Sequence, residues 1–210
     1  MVKCGNCREV GHNVRKCPKS VVTAVMTFGE KPSIETKKEI VLPPEADQDD
    51  AHETRDWIDI PLPSDTIEKF KTLAQICSDI SRELGKGFQE CVYEEALCVE
   101  LQLRNIQFSS QETIPITYKG RYVGNNRLDI LLHTWLPLTI ELKATTTAVK
   151  TEERWQAVRY MARKNVPYGV VINFNQSIKG TLYLAFVVKH EEHYFQYSPE
   201  TGQGKKMIDF

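Results

Sequence analysis

Apolar residues recur at helical spacing from Ser64 onward. Ile67, Phe70, Leu73, Ala74, Ile76, Cys77, Ile80 and Leu84 share one face, which predicts a helix ending at Gly85-Lys86-Gly87. Ser64 or Asp65, with Glu68 behind it, has the form of a capping box. A second helical pattern runs from Phe88 to Arg104 on Val92, Ala96, Leu97, Val99, Leu101 and Leu103. The period then shortens. Phe108 to Tyr118 alternates loosely, and Arg121 to Leu132 and Leu138 to Ala144 read as further strands, with Asn125-Asn126 placed for a bulge or bend. Thr151 to Asn165 returns to helical period on Trp155, Val158, Met161 and Ala162. Tyr168 to Phe174 and Leu182 to Val188 are apolar, β-branched runs that read as buried strands, and Tyr194 to Tyr197 reads as a short edge strand. The order α-α-β-β-β-α-β-β predicts an α/β domain, a mixed sheet with helices on its faces.

Residues 19–63 lack this periodicity. Pro32, Pro43, Pro44, Pro61 and Pro63 and the acidic run from Glu45 to Asp50 give the stretch the character of a flexible linker. Val21 to Phe28 is a short apolar run within it, and Trp57-Ile58-Asp59-Ile60 is placed to dock on the domain that follows. The pattern divides the chain into an N-terminal segment at 1–18, this linker, a main domain at 64–198 and a tail at 199–210.

Composition narrows the classes. A length of 210 residues allows one good-sized domain plus extras. The net charge of -1 supplies no global field for nucleic acid, so any such binding must come from local patches. No apolar run reaches the roughly 18 residues of a membrane span, which predicts no membrane partner. The opening residues lack the apolar core of a signal peptide. Six cysteines in that context argue for reduced thiols or metal ligation and a cytoplasmic or nuclear compartment.

Four of the metal-binding residue types cluster at the start. Cys4, Cys7, His12 and Cys17 are spaced C-x2-C-x4-H-x4-C, a donor set suited to tetrahedral zinc. So short a segment buries no core and needs the metal in order to fold. It resembles the zinc knuckle of nucleocapsid and RNA-binding proteins, which implies a grip on nucleic acid. Arg8, Arg15 and Lys16 surround the ligands and are placed to meet phosphates. No aromatic residue lies within 4–17, so base stacking has no platform there.

The second chemical cluster lies on the predicted strands. Asp129 sits on one, and Glu141-Leu142-Lys143 on the next, with Glu141 and Lys143 facing one way and Ile140 and Leu142 the other. Two carboxylates and an amine at the lip of a sheet can hold a divalent cation and a water, the equipment for metal-assisted hydrolysis of a phosphodiester. Alternating charges on a strand equally mark a solvated sheet face.

The element order and these motifs resemble the PD-(D/E)xK nuclease superfamily, with its restriction-endonuclease-like fold. Gly87-Phe88-Gln89-Glu90-Cys91-Val92-Tyr93 is similar to the signature of the GxxExxY proteins within it, and Arg127-Leu128-Asp129, Glu141-Leu142-Lys143, Gln156 with Tyr160, and Ile172-Asn173-Phe174-Asn175 fall in the matching order. The resemblance covers roughly residues 66–190 and implies a magnesium- or manganese-dependent nuclease acting on DNA. Asp129 would bridge the metal, Glu141 would supply the second carboxylate, and Lys143 would orient the attacking water or stabilise phosphate charge. Glu90 would complete the metal shell and Gln156 would point at the site. Lys150, Arg154, Arg159 and Arg163 would give the third helix a basic surface for phosphates. Many nucleases of this fold form homodimers, and the added knuckle resembles a large DNA virus product, which would act in the host cell or virion. The rival expectation is a catalytically silent nucleic-acid-binding or structural protein that keeps the fold.

Overall fold

The structure, a computed structural model, describes residues 57–207. The zinc-ligand set, Arg8, Arg15, Lys16 and the apolar run Val21 to Phe28 lie outside those residues. The described chain runs β1 (Ile58–Asp59), α1 (Ser64–Leu84), α2 (Glu90–Leu103), β2 (Phe108–Tyr118), β3 (Arg121–Leu132), β4 (Leu138–Lys143), α3 (Thr151–Lys164), β5 (Tyr168–Asn173), β6 (Tyr183–His190), β7 (His193–Ser198) and β8 (Gln203–Lys206).

The strands form one eight-stranded sheet in the order β1-β8-β7-β6-β5-β4-β3-β2. Only β4 and β5 pair in parallel, because α3 carries the chain back across the sheet between them. The helices divide between two faces. Phe70, Leu73, Ile76 and Cys77 of α1 and Tyr93, Leu97 and Leu101 of α2 share one core with Ile130, Ile140, Leu142, Val170, Ile172 and Phe186 of the sheet. On the other face Ala157, Val158, Tyr160 and Met161 of α3 meet Leu128, Val171, Ala185 and Val187. Gly169 of β5 lets α3 lie close, since a Cβ there would stand 2.7 Å from Met161 Sδ.

The pattern-based reading holds for the central elements and shifts at the margins. Tyr194–Tyr197 belongs to β7, which is an interior strand and not an edge. The segment read as a tail supplies β8, and the last part of the segment read as linker supplies β1. Ile60 follows β1 into the main core, where only a glycine at Gly204 leaves it room. The β2–β3 irregularity falls two residues before Asn125, where Val123 is unpaired between Gly124↔Ile116 and Tyr122↔Thr117. Among the described residues no side chain caps α1; Pro63 precedes it and its carbonyl accepts from Thr66 N. Gly85 ends that helix at φ 71°, as the glycine pair predicts.

Candidate active site

The site forms where β3 leaves β4. The two strands pair only over Ile130↔Ile140, Leu131↔Thr139 and Leu132↔Leu138. Continuing that register would bring Leu128 opposite Leu142. Instead Asp129 Oδ2 accepts the Leu142 amide at 2.8 Å. Side-chain alternation breaks at the same place, with Leu128 and Leu131 on the α3 face and Ile130 on the α1 side. The strand on the other flank breaks too: Gln111, between Ser110↔Ile130 and Glu112↔Leu128, has φ 56°. A bend in the sheet thus carries the Asp129 carboxylate to the end of β4.

Glu141 and Lys143 emerge together from β4, as strand alternation requires. Lys143 Nζ lies 2.6 Å from Glu141 Oε1, and the two side chains are 17% and 5% exposed. Gln156 Nε2 donates to the same oxygen at 2.8 Å and to Tyr160 Oη at 3.0 Å. Tyr160 in turn donates to the Arg127 carbonyl at 3.0 Å, which ties α3 to β3 two residues before Asp129. The other carboxylate oxygen, Glu141 Oε2, is buried without a hydrogen-bond partner among the described residues.

Burial and crowding set the electrostatics. Burial first, then Asp129 and more weakly Glu90, push the Glu141 carboxyl up to about 7 against the pull of Lys143. Asp129 is raised by burial, with the Leu142 amide, Lys143 and Arg127 opposing. Glu90 is raised by burial and by Asp129 and Glu153, with Lys143 and the Ala144 backbone opposing. Burial works against the Lys143 charge, but Glu141, Glu90 and Asp129 outweigh it and hold the amine above its usual range. Each of these groups therefore feels the others: Glu90, Asp129, Glu141 and Lys143 share one electrostatic pocket.

Helix α2 is fixed in place by its own first turns. Gly87, at φ 97°, donates its amide to Gln176 Oε1 at 2.6 Å, three residues before Glu90 opens the helix. Tyr93, fully buried, stacks on Phe174 with ring centroids 4.5 Å apart and donates to the Gly85 carbonyl at 2.9 Å. Lys86 Nζ caps the Gly180 carbonyl at 2.5 Å and also binds the carbonyl of Ser177. On the parallel strand beside Lys143, buried Asn173 accepts from Thr145 N at 3.1 Å and donates to the Thr147 carbonyl at 2.7 Å. These contacts shape the β4–α3 loop.

The residues expected at the site divide clearly. Glu90, Asp129, Glu141, Lys143 and Gln156 come together. Lys150, Arg159 and Arg163 are exposed, the two arginines one turn apart on α3. Arg154 does not join that surface: it is 7% exposed and donates to Thr151 Oγ1 at 3.2 Å. Sequence reasoning gave no role to the Tyr160 hydroxyl or to Asn173, although both lie in quoted motifs; their anchoring roles depend on partners 33 and 26 residues away. Cys77 and Cys98 are buried and Cys91 half-buried, and burial pushes the Cys98 thiol up to about 12, as suits core residues without chemistry.

The profile of the PD-(D/E)XK nuclease superfamily matches residues 68–183, more than half of the chain. The chain belongs to that superfamily. Its matched span begins in the second turn of α1, runs through β5 and ends at the first residue of β6, and so contains all five residues gathered at the sheet bend. The mixed sheet flanked by helices agrees with the restriction-endonuclease-like fold. Neither the curated proteins nor the solved structures give a significant match. Among the described residues no helix is long and apolar enough to cross a membrane.

Proposed function

We propose that this protein is a magnesium- or manganese-dependent nuclease that hydrolyses phosphodiester bonds of DNA. The observation that carries the reading is the buried Glu141 carboxylate, with Oε2 lacking a partner among the described residues, beside Asp129 and Lys143. An unpaired buried carboxylate oxygen is costly, and a divalent cation is the natural partner for two such acids. The donor set therefore fits a hard cation held by Asp129 and Glu141, with Glu90 able to complete the shell from α2. Such an ion supplies charge neutralisation on the phosphate and acidifies water.

The protein's own residues do the rest. The Leu142 amide fixes the Asp129 carboxylate. Gln156, anchored through Tyr160, fixes Glu141 Oε1. Lys143 positions the water that attacks phosphorus and offsets the charge that grows on the phosphate oxygens. The attacking water gives up a proton to solvent as its oxygen bonds phosphorus, the phosphorus–oxygen bond opposite it breaks, and the leaving oxygen takes a proton from solvent. Lys150, Arg159 and Arg163 lie on exposed surface able to meet backbone phosphates. The segment containing Cys4, Cys7, His12 and Cys17 serves as a zinc knuckle that raises the local concentration of nucleic acid. The spacing Gly87, Glu90, Tyr93 supports reading the chain as one of the GxxExxY proteins of the superfamily.

The test is cleavage of labelled linear, nicked, branched and single-stranded DNA and RNA with Mg²⁺ or Mn²⁺, against Asp129→Ala. Cutting by the natural protein that the variant lacks supports the nuclease. A second reading has its own observation: among the described residues no three His, Cys, Asp or Glu side chains are already gathered as a metal cage, and Glu141 Oε1 is occupied by Lys143 and Gln156. It describes a nucleic-acid-binding protein on a silent nuclease fold. Equal binding of nucleic acid by both proteins, without cutting and without uptake of Mg²⁺ or Mn²⁺, selects it.

A further inference from the structure

Beyond the bend at Asp129, β2 and β3 leave the sheet and continue as a ribbon of two strands. The β3–β4 ladder stops at Ile130, and β2 is the sheet edge, so from Glu112↔Leu128 to Tyr118↔Arg121 the two strands pair only with each other. Eight residues separate Asp129 from Arg121 (129 − 121), a reach of about 26 Å at roughly 3.3 Å per residue. All residues from Thr117 to Val123 are exposed.

The chemistry of this arm is one-sided. Between Thr113 and Leu128 there is no aspartate or glutamate, while Lys119, Arg121 and Arg127 are present. Tyr118 and Tyr122 are each 64% exposed. Cross-strand partners share a face, so Tyr118 with Arg121 occupies one face of the tip and Tyr122 with Thr117 the other. Lys119 Nζ lies 5.4 Å from the Tyr118 ring centroid at the turn. Isolated ribbons of this kind are marginal in water, and exposed aromatics on both faces add a cost of exposure that a partner would remove. A flat protein surface would cover one face. A groove walled on both sides by phosphates meets both faces and the two cations of the tip, Lys119 and Arg121.

We infer that the β2–β3 ribbon is a DNA-gripping arm that enters the major groove of duplex DNA and sets the distance between the grip and the scissile phosphate. The B-form major groove, about 12 Å wide, admits a two-stranded ribbon. The major groove of an RNA duplex is too narrow for one, which makes DNA the substrate duplex. The bulge at Val123 adds the local twist a ribbon needs to follow a helical groove. The reach corresponds to about eight base pairs at 3.4 Å per step. This assignment rests on the nuclease reading for its purpose but not for its test.

The test is binding by the full chain, without divalent metal, to duplex DNA, duplex RNA and single-stranded DNA across a salt series. The double variant Lys119→Gln/Arg121→Gln is compared with the natural protein, and sedimentation is recorded for both. The substituted side chains are exposed and unpaired with any carboxylate among the described residues, and thermal melting checks that both proteins fold alike. The expected result is a duplex-DNA salt slope smaller by about two and an affinity at least roughly tenfold lower, with duplex-RNA and single-strand binding unchanged. An unchanged duplex-DNA slope overturns the arm. So does a change of oligomeric state in place of DNA affinity, which would make the ribbon a contact between copies. Because no metal is present, loss of cleavage in Asp129→Ala or its absence in every protein leaves this outcome independent of the catalytic reading.

Discussion

Asp129 Oδ2 takes the Leu142 amide that a neighbouring main-chain carbonyl would take in an unbroken ladder. One carboxylate oxygen is thereby used to hold the split sheet together. The other, Oδ1, accepts no hydrogen bond among the described residues and is left for chemistry. The two roles separate by substitution. Asparagine keeps an oxygen that can accept from Leu142 but loses the charge. Asp129→Asn is expected to melt within a few degrees of the natural protein while losing cleavage by a factor on the order of 10³, several kcal/mol of transition-state stabilisation. Melting curves and single-turnover rates measured together check this; full activity in the variant would remove Asp129 from the metal shell.

Glu141 ties stability to pH. Its carboxyl is held at about 7 in the fold against an ordinary 4.5, so the folded protein keeps a proton that the unfolded chain releases. Stability contributed by the neutral form is full below pH 4.5 and falls as pH rises toward 7, after which the deficit is constant. The shift corresponds to about 3 kcal/mol. In metal-free buffer, urea unfolding of the natural protein is expected to lose that much relative to Glu141→Gln across this window. Mg²⁺ should restore it increasingly at higher pH, where the carboxylate is ionised. Parallel pH profiles for the two proteins would show that burial leaves Glu141 unshifted.

Much of this was readable in the chain, for a physical reason. The buried strands Leu138–Lys143 and Tyr168–Asn173 and the amphipathic α1 announce themselves by period, because one face or both must meet a core. Glu141 and Lys143 could be placed side by side by strand alternation alone. What the period hides is any feature made by two distant segments. β1 has two residues and β8 four, too few for a pattern; β8 forms against β7, and β1 exists only by pairing with β8 across some 145 positions. The bend at Asp129 was equally hidden, since five consecutive buried residues, Leu128 to Leu132, read as an unbroken strand. Arg154 looked like its basic neighbours because charge says nothing of the side on which a helical residue falls.

Gln156 has two amide hydrogens and spends one on Glu141 and the other on Tyr160. Among the described residues its own carbonyl oxygen has no donor. Tyr160 is therefore a positioning residue: it orients the glutamine and, through Arg127, joins the orientation to the strand that carries Asp129. Tyr160→Phe keeps the ring against Leu128 and Ile114 and removes only the hydroxyl. The expected result is a kcat lower by roughly tenfold, with KM little changed and stability reduced by about 1 kcal/mol. A loss confined to KM would place Tyr160 in substrate binding instead.

Tyr93 explains why a tyrosine should lie one helical turn beyond Glu90. Its ring is buried against Phe174, and its hydroxyl reaches both the Gly85 carbonyl and Gln176, at 2.9 Å and 3.1 Å. Gln176 in turn holds the Gly87 amide. The hydroxyl thus closes a loop of contacts around the turn from which Glu90 enters the site. Tyr93→Phe leaves the stack intact and frees the turn, at a cost of about 1–2 kcal/mol in unfolding free energy. Amide exchange should rise at Gly87 and in the first turn of α2 while the α1 core stays protected. If Glu90 contributes to the metal shell, Mn²⁺ affinity should fall with it, by roughly the tenfold that loss of a supporting contact brings. Faster exchange without any change in Mn²⁺ affinity would leave Tyr93 as a purely structural latch and take Glu90 out of the shell.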